Sequence, residues 1–287
     1  MTFRFMDDHR KRWALVRMAR VLEVSPSGYY AWKKRNPSAR AMSDLALIEK
    51  IREIQERHKR RYGSPRVHAE LISMGIKVSR KRVARLMREN DLSCLRRKRF
   101  LITTDSRHHE PIAPNILDRQ FAVAEPNMVW VSDITYLPTA EGWLYLCVVI
   151  DLFDRMVVGW SMRTDMNSAI VIDAFAMAMI RRRPQGKLMF HSDRGVQYCS
   201  SAFREASLAA LPMLVRSMSR KGNCWDNACA ESFFKTLKRE LEELAGQTGR
   251  KTVRVAVFEY IEAYYNRIRI HSRNGYKPPA AVPRREA

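Results

Sequence analysis

Hydrophobic and polar positions along the chain change their period near residue 127. Before it, apolar residues return every three or four positions, with basic residues between them. After it, apolar runs rich in Val, Ile, Tyr and Trp take over. The first pattern predicts helices and the second a sheet.

In the front part, Leu15, Met18, Val21 and Leu22 mark one short helix, and VSPSG ends it. Ser25 and Pro26 begin a second helix, which presents Tyr29, Tyr30 and Trp32 before Lys33, Lys34 and Arg35. A longer helix is expected over 44–59, carrying Leu45, Leu47, Ile48, Ile51 and Ile54. Another spans 65–73 and closes at Gly75, and Ser79 caps the next. There Val83, Leu86 and Met87 face inward, leaving Arg80, Lys81, Arg82, Arg85 and Arg88 on exposed faces. A helix, a Gly-containing turn and a basic helix form a helix-turn-helix pattern, with those basic side chains as candidate DNA contacts. The plainer reading is a helical hairpin with a solvated basic face. Residues 95–119 show no period and read as a linker, and the pair His108-His109 has no cysteine nearby to make a metal site.

Beyond 127, two β-rich runs flank Pro138–Gly142 at hairpin-loop length, and a third strand is expected over 156–162. A helix over 168–183 is apolar almost all round. A strand (187–192), a helix (201–210), a short strand (213–218) and the helix containing Glu231 follow. The last helix is expected over 253–271, with Val253, Val257, Ile261, Tyr264 and Ile268 on one stripe. The sum is an α/β fold: a mixed five-stranded sheet with helices on both faces, preceded by an all-helical region. The expected divisions are 1–42 and 43–94 for DNA-binding helices, 95–124 for a basic linker and 125–287 for the sheet domain.

Composition narrows the class. No run approaches 18 apolar residues, and the N-terminal stretch holds no apolar run of signal-peptide length. Five cysteines form no CxxC pair, which points to a reducing cytoplasm and away from disulfides or structural zinc. Net charge is +22, unevenly placed. Residues 1–100 hold 27 Lys and Arg against 10 Asp and Glu, whereas the remainder holds 25 against 20. A basic front on a nearly balanced back reads as a grip on a polyanion, with nucleic acid favoured over an anionic membrane.

Three acids stand where solubility would not put them. Alternation along strand residues 129–136 places Val129, Val131, Asp133 and Thr135 on one face. A carboxylate there needs a partner or a metal; an arginine or backbone donor would also satisfy it. Asp193 follows a strand and precedes Arg194-Gly195, where open α/β sheets place their sites and where turns also favour Asp. Glu231 shares a helix face with Lys235 and Lys238, so it is either an ordinary i,i+4 pair or a metal ligand beside phosphate-holding lysines. Three such acids suit a hard divalent cation, and two ions would serve an in-line phosphoryl displacement. Asp151 and Asp154 read as turn residues, and Asp226 or Asn223 as the cap of the Glu231 helix.

WVSDITYLP, HSDRGVQY and SMSRKGNCWDNACAESFFKTLKRE resemble the catalytic core of OrfB-type insertion-sequence transposases, which have a retroviral-integrase-like, RNase-H-like DDE core. RYGSPRVHAEL, VSRKRVARLMREN and YIEAYYNRIRIHSRNGYKPPAAV resemble the same proteins on either side, so the likeness covers nearly the whole chain. It implies that Asp133, Asp193 and Glu231 are catalytic and bind Mg²⁺ or Mn²⁺, two ions per site, and that Lys238, with Lys235 beside it, contacts DNA. It also implies cleavage and strand transfer of double-stranded DNA, at element ends and target, by a homo-oligomer associated with the nucleoid. The family's active enzyme is commonly a frameshift fusion with an upstream helix-turn-helix protein. This chain, starting at its own methionine, is expected to be the catalytic part, with that protein as fusion or partner. Thirty-seven residues separate Asp193 from Glu231, two more than is usual in the family, and the extra pair is expected within 206–215. Either the loop leaves the site intact or it marks a decayed transposase or DNA-binding regulator without chemistry. An RNase-H-like nuclease for other nucleic acids is a third reading, which the fold alone permits.

Overall fold

The computed structural model describes residues 2–36, 38–94, 111–241, 244 and 248–284. Helices α1 (Thr2–Asp8), α2 (Leu15–Val21) and α3 (Pro26–Lys34) bury Met6, Met18, Ala19 and Tyr29 in a small core of their own. Ser25 caps α3 by accepting from the Gly28 backbone N–H, as its position before Pro26 predicts. Helix α1 was not legible: seven residues do not establish a period.

Three further helices form the next unit: α4 (Ala39–Arg57), α5 (Ser64–Ser73) and α6 (Arg80–Glu89). Helix α4 starts five residues before the expected position because Ser38 caps it through the Ala41 N–H. Leu47, Ile48, Ile51 and Ile54 of α4 pack with Val67, Leu71, Val83, Leu86 and Met87. Ser79 caps α6 as expected.

Five strands form one sheet: β1 (Val129–Thr139), β2 (Gly142–Asp151), β3 (Val157–Arg163), β4 (Leu188–Ser192) and β5 (Leu214–Met218). Their spatial order is β3-β2-β1-β4-β5, with the first three antiparallel and β1, β4 and β5 parallel. Helices α7 (Ala169–Arg182), α8 (Val196–Cys199) and α9 (Ser201–Ala210) contribute to one face, where Trp130, Val149, Val158, Ala174, Phe175, Phe190 and Phe203 pack together. Helix α7 lies so close to β3 that a Cβ on Gly159 would stand 2.1 Å from the Ala174 carbonyl oxygen and 2.8 Å from the Ala178 nitrogen. Helices α10 (Ala228–Glu240) and α11 (Arg250–Glu259) cover the other face, burying Val131, Leu137, Val148, Phe233, Leu237, Val253 and Val257. The expected terminal helix starts three residues early, changes to a π-helix over Tyr260–Tyr265 and ends there rather than at 271.

The helical unit docks on the end of this second face. Ile270 and Tyr264 join its core, the Tyr62 hydroxyl accepts from the Ile270 N–H, and Arg66 donates to the Ile270 carbonyl. Of the expected linker, 95–110, including His108-His109, lies outside the described residues. The remainder is anchored: the Ile116 and Leu117 N–H groups donate to Ser217 Oγ, and the Met218 N–H to the Pro114 carbonyl. No described helix is long and apolar enough to cross a membrane.

Candidate active site

Strand register brings the first two acids together. In the parallel β1–β4 ladder, Val129, Trp130 and Val131 pair with Met189, Phe190 and His191. The same offset carried two residues on sets Asp133, midway along β1, opposite Asp193, just past the carboxyl end of β4 where the two strands part. Clefts open at such points in α/β sheets. The Asp193 turn is tight: its Oδ1 accepts from the Gly195 N–H at 2.9 Å, and a Cβ on Gly195 would lie 3.1 Å from that oxygen.

Asp133 points to the α10 side of the sheet, as alternation with Val131 requires, and keeps a partly open face. Its carboxyl is pushed well above the ordinary carboxylate range, first by desolvation and then by the charge of Asp193; Glu231 adds to the rise and Lys238 opposes it. Groups from the turn after β4 and from α10 therefore all act on Asp133 of β1. Beneath the strand, Ser132 Oγ and the Tyr198 hydroxyl lie 2.7 Å apart in the buried core, fixing β1 from its other face.

Glu231 lies in the first turn of α10, and the start of that helix is held firmly. A 3₁₀ turn over Cys224–Asn227 leads into it, capped by Asn223 through the Trp225 N–H. The Asn227 amide donates to the Ser132 carbonyl at 2.9 Å, next to Asp133. Asp226 is fully buried and accepts from Arg220, Arg119 and Asn115. The Arg220 hydrogen bonds hold its carboxyl far below the usual range. Asp226 is thus a structural clamp, and Asn223 caps the 3₁₀ turn rather than α10, whose N-cap position is Asn227. Lys238 is half-buried; desolvation pushes its ammonium down while Asp133 pulls it back up. Lys235 stands exposed.

The Asp193–Glu231 segment turns at the surface just before β5. Chain 211–213 reverses direction there, with Met213 exposed. Strand β5 keeps unbroken register with β4 from Leu188–Leu214 to Ser192–Met218. The Ser219 N–H then donates to the Ser192 carbonyl, tying the approach to α10 to the residue before Asp193.

Among the described residues no three His, Cys, Asp or Glu side chains form a ready-made metal cage. The donor chemistry nevertheless fits a divalent cation. Asp133, Asp193 and Glu231 offer only hard carboxylate oxygens, and their mutual repulsion at a desolvated carboxyl is what a cation between them would relieve. Asp151 and Asp154 form a separate buried cluster. Asp151 accepts from the Asn127 and Phe153 N–H groups, and Asp154 pairs with Arg182 and Arg284. Asp154 is the turn residue its position predicts, whereas Asp151 is the last residue of β2.

On α6, Arg80 and Lys81 are exposed, whereas Arg82 and Arg85 are drawn to Asp44 of α4 at 2.6 and 2.8 Å. The expectation that all basic side chains of this helix stay on open faces is corrected for these two. Asp44 lies about forty positions earlier in the chain, and helical periodicity carries no information about that contact.

The integrase core domain family matches residues 123–224 and again 215–279, and an HTH-like domain family matches 42–100. Over 264 residues the chain is 43% identical to the insertion element IS600 uncharacterized 31 kDa protein of Shigella sonnei, spanning 92% of this chain and 96% of that one. It is 40% identical over 274 residues to transposase InsF for insertion sequence IS3A of Escherichia coli (strain K12), spanning 95% and 94%. The chain belongs to this family of insertion-sequence transposases. Among solved structures, the transposase aligns with the magnesium-bound HTLV-2 integrase catalytic core domain at a TM-score of 0.44 and 19% identity, over 55% of this chain and 97% of that one. The family makes the transposase an enzyme of the polynucleotidyl transferase type, with its integrase core on the five-stranded sheet.

Proposed function

We propose that the transposase cuts and joins double-stranded DNA by in-line phosphoryl transfer at Asp133, Asp193 and Glu231. The observation that carries this is the meeting of Asp133 and Asp193 at the parting of β1 and β4, within electrostatic reach of Glu231 and Lys238. The three carboxylates would hold Mg²⁺ or Mn²⁺, with two ions per site suiting the reaction. When bound, such ions neutralise the phosphate and lower the pKa of an attacking water or 3′-hydroxyl. Lys238 faces the carboxylates and holds the reacting phosphate beside them, while exposed Lys235 takes a neighbouring backbone phosphate. The Asn227 and Asp226 contacts keep α10 in place as substrate enters.

Arg80 and Lys81 are the α6 side chains proposed to reach DNA directly. Arg82 and Arg85 would do so only by leaving Asp44. Two element ends must be held together, so the working form on DNA is a homo-oligomer, joined or fused to an upstream-frame helix-turn-helix protein. Its substrate places it with the nucleoid. Calorimetric Mn²⁺ titration tests the site. Unaltered protein should bind, and Glu231→Gln should bind much more weakly. No binding, or binding unaffected by that change, would favour a decayed copy that only binds DNA. Cleavage of an RNA–DNA hybrid in preference to duplex DNA would favour a nuclease.

A further inference from the structure

We propose that Arg119, Arg155 and Arg273 form a phosphate subsite that holds the DNA backbone away from the reacting phosphate. This rests on the reading of the protein as a DNA strand transferase. The three arginines line one hollow of about 510 Å³ together with Gln120, Phe121 and Ala122, and no carboxylate lines it. Arg155 is only 8% exposed and is held in place by donating to the Phe121 carbonyl at 2.9 Å and to Cys229 Sγ at 2.6 Å. A guanidinium has five N–H donors, so these two bonds leave others to spare. The Arg155 and Arg273 charges both act on Cys229, which places them on the same spot of α10. Among the described residues no carboxylate is paired with Arg273, which stands exposed at the rim. Arg119 also lines the hollow while clamped to Asp226 at 2.8 Å.

The position relative to the reacting centre fixes the ligand. The hollow lies on the α10 side of the sheet, because Phe121 and Cys229 pack against that core. In the β1–β2 ladder Asp133 pairs with Val148 and Trp130 with Asp151, so the turn carrying Arg155 lies toward the start of β1. Asp133 and Trp130 are about 10 Å apart along the strand, so the hollow is set back from the reacting carboxylates along β1. A hollow lined by guanidinium groups and no carboxylate, with Arg119 alone tied to a carboxylate behind it, suits a phosphate bidentately. Set back along β1 from the carboxylates, it suits a backbone phosphate other than the reacting one.

The test is the salt dependence of binding by the full chain to a fluorescein-labelled duplex oligonucleotide, read by anisotropy. Arg273→Ala should make the slope of log K against log salt shallower by about 0.9, the loss of one phosphate contact. Arg273→Lys should restore most of it. Lys187→Ala, a loss of one exposed charge outside the hollow, should leave the slope unchanged. An unaltered slope in Arg273→Ala, or an equal fall in Lys187→Ala, overturns the subsite while the transferase reading stands. Absence of duplex binding by the unaltered chain overturns both.

Discussion

Replacing Glu240 by Gln removes one charge from a pair that solvent does not reach. Glu240 and Arg269 are each 1% exposed. Arg269 donates to the two carboxylate oxygens at 2.9 and 2.8 Å, and the Tyr260 hydroxyl donates to one of them at 2.9 Å. Burial pushes the Glu240 carboxyl up, but Arg269 more than reverses this and holds it below the ordinary range. Breaking such a pair from one side leaves a buried charge uncompensated and costs about 3–5 kcal/mol. That is a large part of the roughly 5–15 kcal/mol of stability typical of a domain, and corresponds to a Tm drop on the order of 10 °C. The position also matters to the site. Glu240 is the last residue of α10, which carries Glu231 and Lys238, and Arg61 of the helical unit donates to its carbonyl. Urea melts of Glu240→Gln and Arg269→Met, and of Glu240→Leu combined with Arg269→Met, measure the effect. Each single change should cost several kcal/mol, and the double should recover most of it. A single-change cost below about 1 kcal/mol would refute the buried pair, since that is the scale of an exposed one.

Other outcomes follow from the same contacts. Gly159→Ala should lower stability by about 1–3 kcal/mol or more, because its methyl group must push α7 off β3; an unchanged urea midpoint would contradict that contact. Burial, with Asp154 nearby, lifts the Asp151 carboxyl to about 6. The folded chain therefore keeps this proton where the unfolded chain has lost it, so the contribution of Asp151 to stability is lost as pH rises from about 4 to about 6. Asp151→Asn should flatten that part of the stability–pH curve, and an identical curve would remove the group from the account.

Much of this architecture is local and so was legible. Alternation placed Asp133 on one face of β1, and the i, i+7 spacing placed Lys238 beneath Glu231. Ser25 and Ser79 announced their helices. What escaped depends on partners far apart in the chain. The β1–β4 register that sets Asp133 beside Asp193 joins residues sixty positions apart. Asp44 takes two of the arginines that a helical wheel leaves in solvent. Asp226 has the residue type and position of a cap, yet three side chains from elsewhere make it a buried clamp. The change to a π-helix at Tyr260 gave no sign in the apolar stripe, and Ile268, expected on it, lies beyond that helix and is exposed.

Strand transfer on duplex DNA with Mn²⁺ or Mg²⁺, comparing the unaltered transposase with Asp133→Asn, is the most direct test of the central claim. The carboxylates of Asp133, Asp193 and Glu231 are held to act as one unit, so this change should abolish joining while duplex binding and the fold, followed by anisotropy and circular dichroism, persist. Asp193→Asn and Glu231→Gln should do the same. Full joining activity by Asp133→Asn would contradict the account.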